Sequence, residues 1–137
     1  MSRELRIGGP VVRGRARGRQ LGFPTVNVQA PASAGAHAGV WAGWIRWLRQ
    51  DWRMAVINVG RRPTFGDSGL SVEAHILDFV GELYGREIEL QLVHKLRAEQ
   101  RFHSVQALVD QISRDIEQTR ALFAGRRGGT NPMEDEQ

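Results

Sequence analysis

Gly39-Val-Trp-Ala-Gly-Trp-Ile-Arg-Trp-Leu48 and Trp52-Arg-Met-Ala-Val-Ile-Asn-Val59 face each other across Arg49, Gln50 and Asp51. Both segments are rich in aromatic and β-branched residues and neither keeps a helical period, so they predict two strands joined by a turn at those three polar residues. Outward from this pair, the same signature recurs at Ile7 to Arg13, Thr25 to Val28, Ser71 to Leu77 and Glu87 to Val93, with Gly, Pro, Asp and Ser between the segments. Six short strands in so little sequence favour a small closed barrel, because closure removes exposed sheet edges.

The period changes after Phe102. Ser104 is a candidate N-cap, and Val105, Leu108, Val109, Ile112, Ile116 and Phe123 form one apolar stripe while Gln106, Asp110, Arg114, Glu117 and Gln118 fall on the other side. One amphipathic helix is therefore expected to lie against the barrel. From Gly125 to Gln137 there is almost nothing to bury, which predicts a folded domain over residues 1–124 and a disordered tail over 125–137.

The chain has 137 residues, 41% hydrophobic and 25% charged, which suits one globular domain. It has no cysteine, which rules out disulfides, thiolate zinc sites and a Cys nucleophile. The first residues lack the apolar run of a signal peptide, and the longest apolar run, near Gly39 to Ile45, is too short to span a bilayer, so the expected compartment is the cytoplasm, with no membrane partner. The net charge of +4 is uneven: residues 1–62 carry eleven Arg against Glu4 and Asp51, whereas residues 63–137 carry eight basic against thirteen acidic residues. The first half is suited to meet an anion, but charge alone does not separate a nucleotide from a nucleic acid.

The densest feature is Gly14-Arg-Ala-Arg-Gly-Arg-Gln-Leu-Gly22. Its glycines free the backbone to approach a ligand, and Arg15, Arg17 and Arg19 offer guanidinium donors suited to phosphate. A P-loop is excluded, since no Gly-Lys-Ser/Thr ending and no following helix occur. The alternative is a solvated basic turn. Next come Phe23-Pro24-Thr25-Val26-Asn27, in which Thr25 and Asn27 share one strand face and Val26 points into the barrel. Two hard oxygen ligands beside a polyphosphate suit Mg²⁺, and a simple turn after Pro24 is the competing explanation.

Taken together, Gly9-x-Val11-Val12-x-Gly14, Arg17-Gly18-x-x-Leu21-Gly22-Phe23-Pro24-Thr25-x-Asn27, Gly39-Val40-Trp41, Ile57-Asn58-Val59-Gly60-x-Arg62-Pro63-Thr64-Phe65, Val72-Glu73-Ala74-His75 and Leu83-Tyr84-Gly85 resemble the riboflavin kinase family over about residues 7–120. The resemblance is to the kinase domain that in most bacteria follows an FAD synthetase domain. It implies an all-β fold, a six-stranded antiparallel Greek-key barrel with one packed helix. It also implies ATP as cosubstrate, Mg²⁺ (or Zn²⁺ or Mn²⁺ in its place), and phosphorylation of the terminal ribityl hydroxyl of riboflavin to give FMN and ADP. Residue by residue, Gly14, Arg17, Gly18, Arg19 and Gly22 would cover the nucleotide phosphates, Thr25 and Asn27 would hold the metal, and Phe23, Arg97 and Phe102 would lie on the flavin side. Glu73 falls on the family's catalytic base. Ala16, Val26, Trp41 and His103 depart from the usual pattern without removing a catalytic group.

Glu73 also has a chemical rationale. In Leu70-Ser-Val-Glu-Ala-His-Ile-Leu77 it alternates with Val72 and Ala74 onto the opposite strand face, and a carboxylate beside a primary alcohol can take its proton during phosphoryl transfer. Asn58, Gly60, Pro63 and Thr64 border the site or serve backbone conformation. Asp78 to Gly85 reads as a plain connection. His37, His75, His94 and His103 lack metal-ligand spacing. Trp41, Trp44, Trp47 and Trp52, interleaved with Arg, keep a rival alive: a small basic barrel that binds single-stranded nucleic acid. A flavin-binding protein of the same fold without turnover is a third possibility. The expected partners are riboflavin, FMN, ATP and ADP, with no nucleic acid, a separate FAD synthetase in the pathway, and a monomeric state.

Overall fold

The computed structural model describes residues 5–14, 21–61 and 69–128. Its strands are β1 (Leu5–Val12), β2 (Val26–Val28), β3 (Gly39–Trp47), β4 (Arg53–Arg61), β5 (Leu70–Ile76) and β6 (Glu87–Arg97), followed by the helix α1 (Val105–Phe123). A 3₁₀ helix over Ala32–His37, absent from the expectation, links β2 to β3. All neighbouring strands are antiparallel, and the order β1-β2-β5-β4-β3-β6 closes on itself as the expected Greek-key barrel.

Alternation decides what lies inside. Val11, Val28, Ile45, Ile57, Val59, Val72, Ala74, Ile88, Leu90 and Leu92 point inward and are almost fully buried. Val26 packs against this core as expected. Gly43 lets β3 and β6 meet, since a Cβ there would overlap the Gln91 carbonyl.

Two boundaries differ from expectation. The β3–β4 turn spans Trp47–Gln50 rather than residues 49–51, with Gln50 N–H donating to the Trp47 carbonyl and both Leu48 (φ 54°) and Arg49 (φ 60°) left-handed. No Gly or Asn marked it in the sequence. β6 runs four residues past Val93, because its register against β3 shifts twice and interrupts the period of two.

The shifted residues Val93 and Leu96 join Ala42, Trp44, Trp52, Met54, Leu122 and Phe123 in a second apolar cluster outside the barrel, under α1. Phe123 stacks on Trp44 at 4.3 Å between ring centroids. Ser104 caps α1, its Oγ accepting from Ala107 N–H at 3.0 Å. The apolar stripe of α1 is covered as expected at Phe123 and in part at Leu108, Val109, Ile112 and Ile116, with Gln106, Asp110, Arg114, Glu117 and Gln118 exposed, but Val105 is exposed and the polar Asp115 and Thr119 are the other fully buried residues. Polar side chains can sit there because their bonds are made. Asp115 (1% exposed) receives Arg97 through Nε and Nη2, the shortest contact being 2.9 Å, and Thr119 Oγ1 donates to the Asp115 carbonyl.

Of the tail, residues 125–128 are described. Arg126 N–H donates to the Phe123 carbonyl, and Gly128 lies against Trp52. Residues 129–137 lie outside the described residues.

Arg97→Ala would leave the buried Asp115 carboxylate without its counter-ion, with the Gln111 amide still donating, so a loss of about 3–5 kcal/mol in denaturant-unfolding stability is expected. A second clasp, between Arg120 and Asp78, is exposed and bidentate at 2.7 and 2.8 Å. The hydrogen bonds from Arg120 hold the Asp78 carboxyl below its ordinary value against an opposing desolvation, and the charge of Arg120 adds a smaller contribution to them. A carboxyl depressed in the folded state stabilises at pH values above its unfolded range, and the gain vanishes as pH falls through the folded value. The melting temperature of wild type should therefore exceed that of Asp78→Asn at neutral pH, and the two should converge in acid.

Candidate active site

One register row runs around most of the barrel. Val12 pairs with Asn27, Asn27 with Glu73, Glu73 with Asn58, Asn58 with Val40, and Val40 with Arg97. Its neighbours Val28, Val72 and Val59 face the core, so Asn27, Glu73 and Asn58 stand side by side on the outer surface. Thr25, just before β2, joins them: its Oγ1 donates to Glu73 Oε1 at 3.1 Å. Thr25 thus orients the carboxylate, which is half buried.

Asn27 is pinned from above by Gly14. A Cβ on Gly14 would overlap the Asn27 amide, so only glycine lets the start of the arginine-rich segment cross so closely. Gly22 has a φ of +88°, a conformation that glycine adopts without strain. Arg15, Arg17, Gly18 and Arg19 lie outside the described residues.

Beside Thr25 and Asn27 opens a cavity of about 800 Å³ at the barrel mouth, walled by Gly14 and Arg13 on one side and by Phe79, Gly81 and Tyr84 on the other. The connection from Asp78 to Gly85, read from sequence as a plain linker, is therefore a cavity wall. Arg13 stacks over the Tyr84 ring at 4.7 Å. Only Leu83-Tyr84-Gly85 among the quoted motifs pointed there. A hollow of about 470 Å³ lies on the far side of Asn27, against Gln29 and Ser71.

The residues expected on the flavin side are not all together. Phe23 meets His75 edge-on at 5.9 Å, and His75 Nδ1 lies 2.7 Å from the Pro24 carbonyl, so this histidine braces the turn that carries Thr25. Arg97, at the far end of the register row, lies over the Phe102 ring, 5.6 Å from guanidinium carbon to ring centroid. Besides Asp115, Arg97 bonds the Ala98 carbonyl and Gln100, which ties down the segment between β6 and α1.

A metal at Thr25 and Asn27 would meet oxygen donors. Among the described residues no group of three or more His, Cys, Asp or Glu could hold an ion by itself, so an ion here would share its shell with phosphate oxygens, as Mg²⁺ commonly does. The donor set suits Mg²⁺ or Mn²⁺ better than Zn²⁺, which favours nitrogen and sulfur.

The tryptophans do not form a stacking platform. Trp44 is buried on Phe123, Trp47 is buried against Phe79, Trp41 packs on the core and donates to the His37 carbonyl, and Trp52 lies beneath Arg6 and Arg46.

Residues 1–123 match the family model described as riboflavin kinase. A bifunctional riboflavin kinase/FMN adenylyltransferase from Pseudomonas fluorescens is 42% identical over 125 residues, which is 90% of this chain and 40% of that protein. An RNA-binding riboflavin kinase from Bacillus subtilis is 39% identical over 111 residues, 80% of this chain and 47% of the relative. The crystal structure of riboflavin kinase from Trypanosoma brucei superimposes with a TM-score of 0.65 at 28% identity, covering 88% of this chain and 80% of that one. The chain thus spans less than half the length of these two relatives.

Proposed function

We infer what this chain does from the fact that it belongs to the riboflavin kinase family: it transfers the γ-phosphoryl group of ATP to the terminal ribityl hydroxyl of riboflavin, giving FMN and ADP. The observation that carries this reading is the Thr25–Glu73 hydrogen bond, 3.1 Å long, with Asn27 paired to Glu73 in register and a nucleotide-sized cavity alongside.

In this reading the cavity at the barrel mouth takes ATP, and Gly14, Arg17, Gly18, Arg19 and Gly22 are assigned to its phosphates. Thr25 and Asn27 would hold Mg²⁺, which would offset the charge of the phosphates. The acceptor approaches Glu73 from the Asn58 side, with Phe23, Arg97 and Phe102 along the flavin. Arg97 acts there through the segment 98–102, since its own donors are engaged by Asp115, Ala98 and Gln100.

Glu73 takes the proton of the ribityl hydroxyl as that oxygen bonds to the γ-phosphorus and the bond to the ADP oxygen breaks. Phosphoryl transfer asks mainly for placement, and the register row supplies it. Turnover is assigned to residues 1–124, in a cytoplasmic monomer, with a separate FAD synthetase adenylylating the FMN. The nucleic-acid reading is set aside because the tryptophans are spent on packing.

Full-length protein given riboflavin, ATP and Mg²⁺ should form FMN, detected by chromatography. Glu73→Gln should lower kcat by about 10²- to 10⁴-fold with both substrates still bound, and a native single-turnover rate in that variant would remove Glu73 from the base role. Gly14→Ala should push the Asn27 amide out of place, raising the apparent constant for ATP while the melting temperature shifts little.

A further inference from the structure

Asn58 occupies the middle of the outward row, with Glu73 as its cross-strand neighbour on one side and the buried Val40 on the other. Its Oδ1 is buried and has no hydrogen-bond partner among the described residues. Folded proteins leave few such atoms, and each needs a reason. Folding does not supply one here. The inward residues of β4, namely Ala55, Ile57 and Val59, make the core, and the outward neighbours Val56 and Gly60 bring no polar side chain. An aliphatic residue at position 58 would continue that surface without an orphaned acceptor.

The neighbour explains what is missing. A carboxylate acting as a base only accepts hydrogen bonds, and so does an amide oxygen, so Glu73 and Asn58 Oδ1 cannot satisfy each other. Glu73 accepts from Thr25 Oγ1 and in the base role also meets the terminal hydroxyl, whereas Asn58 Oδ1 has no donor among the described residues. The β-carbons of this directly opposed pair are about 5 Å apart. A chain of adjacent hydroxyls presents donors at neighbouring positions. The amide torsion of Asn is broad and soft, and Asn58 as a whole is only partly buried, so its oxygen can turn outward when a donor arrives.

We propose that Asn58 is a substrate-positioning residue: its amide oxygen accepts from the secondary hydroxyl next to the terminal one of the ribityl chain, and so places the terminal hydroxyl at Glu73. This rests on the functional reading above and adds to it the feature by which the acceptor is recognised, a polyol rather than a flavin ring.

The test measures binding to the full chain by quenching of flavin fluorescence, with riboflavin and with lumiflavin, which keeps the ring and lacks the ribityl chain. Asn58→Ala should weaken riboflavin about 10-fold and leave lumiflavin within about twofold, and Asn58→Ser should recover part of the loss. Equal weakening of both ligands would assign Asn58 to the fold, and an unchanged affinity for riboflavin would assign its oxygen to a buried water; either result overturns the proposal. Should Asn58→Ala fail to fold, the ligand is altered instead. Wild type should prefer riboflavin over its 4′-deoxyribityl analogue by about 10-fold and Asn58→Ser should narrow that gap, whereas equal binding by wild type overturns the role. A wild type that neither binds riboflavin nor forms FMN overturns the functional reading itself, while normal FMN formation with native riboflavin affinity in Asn58→Ala overturns only the assignment of Asn58.

Discussion

Closure of the barrel is the constraint on which everything else depends. Every strand is paired on both sides, and the interior is filled by side chains of alternating residues, so a slip of one position would carry Val72 and Ala74 outward and Glu73 into the core. The polar row Asn27–Glu73–Asn58 owes its alignment to this apolar interior and not to its own bonds. The Thr25 hydroxyl adds a direct tie from outside the ladder.

The outer surface is divided between two kinds of cover. On one flank, α1 and the segment leading to it roof β3 and β4, held by Trp44–Phe123 stacking and by the Arg97–Asp115 ion pair. On the other, the mouth of the barrel is bounded by the connection after β5 and by the chain that crosses Asn27 at Gly14. Glu73 lies between the two. In the proposed reaction the in-line requirement falls on the γ-phosphorus, with the ribityl oxygen and the ADP oxygen on its opposite sides, and Glu73 needs only hydrogen-bond reach of the attacking hydroxyl.

Much of this was legible in the sequence, and the exceptions have physical causes. The strands could be read where apolar and polar residues alternate, as in Leu70–Ile76, and the helix start could be read from Ser104. The end of β6 could not, because the register shifts near Val93 and Leu96 break the two-residue period. On α1 the burial of Asp115 and Thr119 was missed because they are polar, and their bonds to Arg97, Gln111 and the Asp115 carbonyl make that burial acceptable. Thr25, Asn27 and Glu73 were singled out as motif residues, but their adjacency is a property of strand pairing across a gap of almost fifty residues. Of the wall formed by Phe79, Gly81 and Tyr84, only Tyr84 lies in a quoted motif, and that motif did not mark it as a wall, since a cavity exists only in three dimensions. Asn58 stood undecided for the same reason: an orphaned oxygen is invisible until its neighbours are placed.

The tight turn after β3 places two bulky residues, Leu48 and Arg49, in the left-handed region, and Leu48 is 66% exposed. Each costs on the order of 1 kcal/mol relative to a residue at ease there. This strain sits at the end of β3 remote from Val40 and hence from the polar row. It is a reserve for protein engineering: an Asn-Gly pair at that tip would suit the same backbone, and the stability so gained could offset losses from substitutions that reshape the catalytic surface.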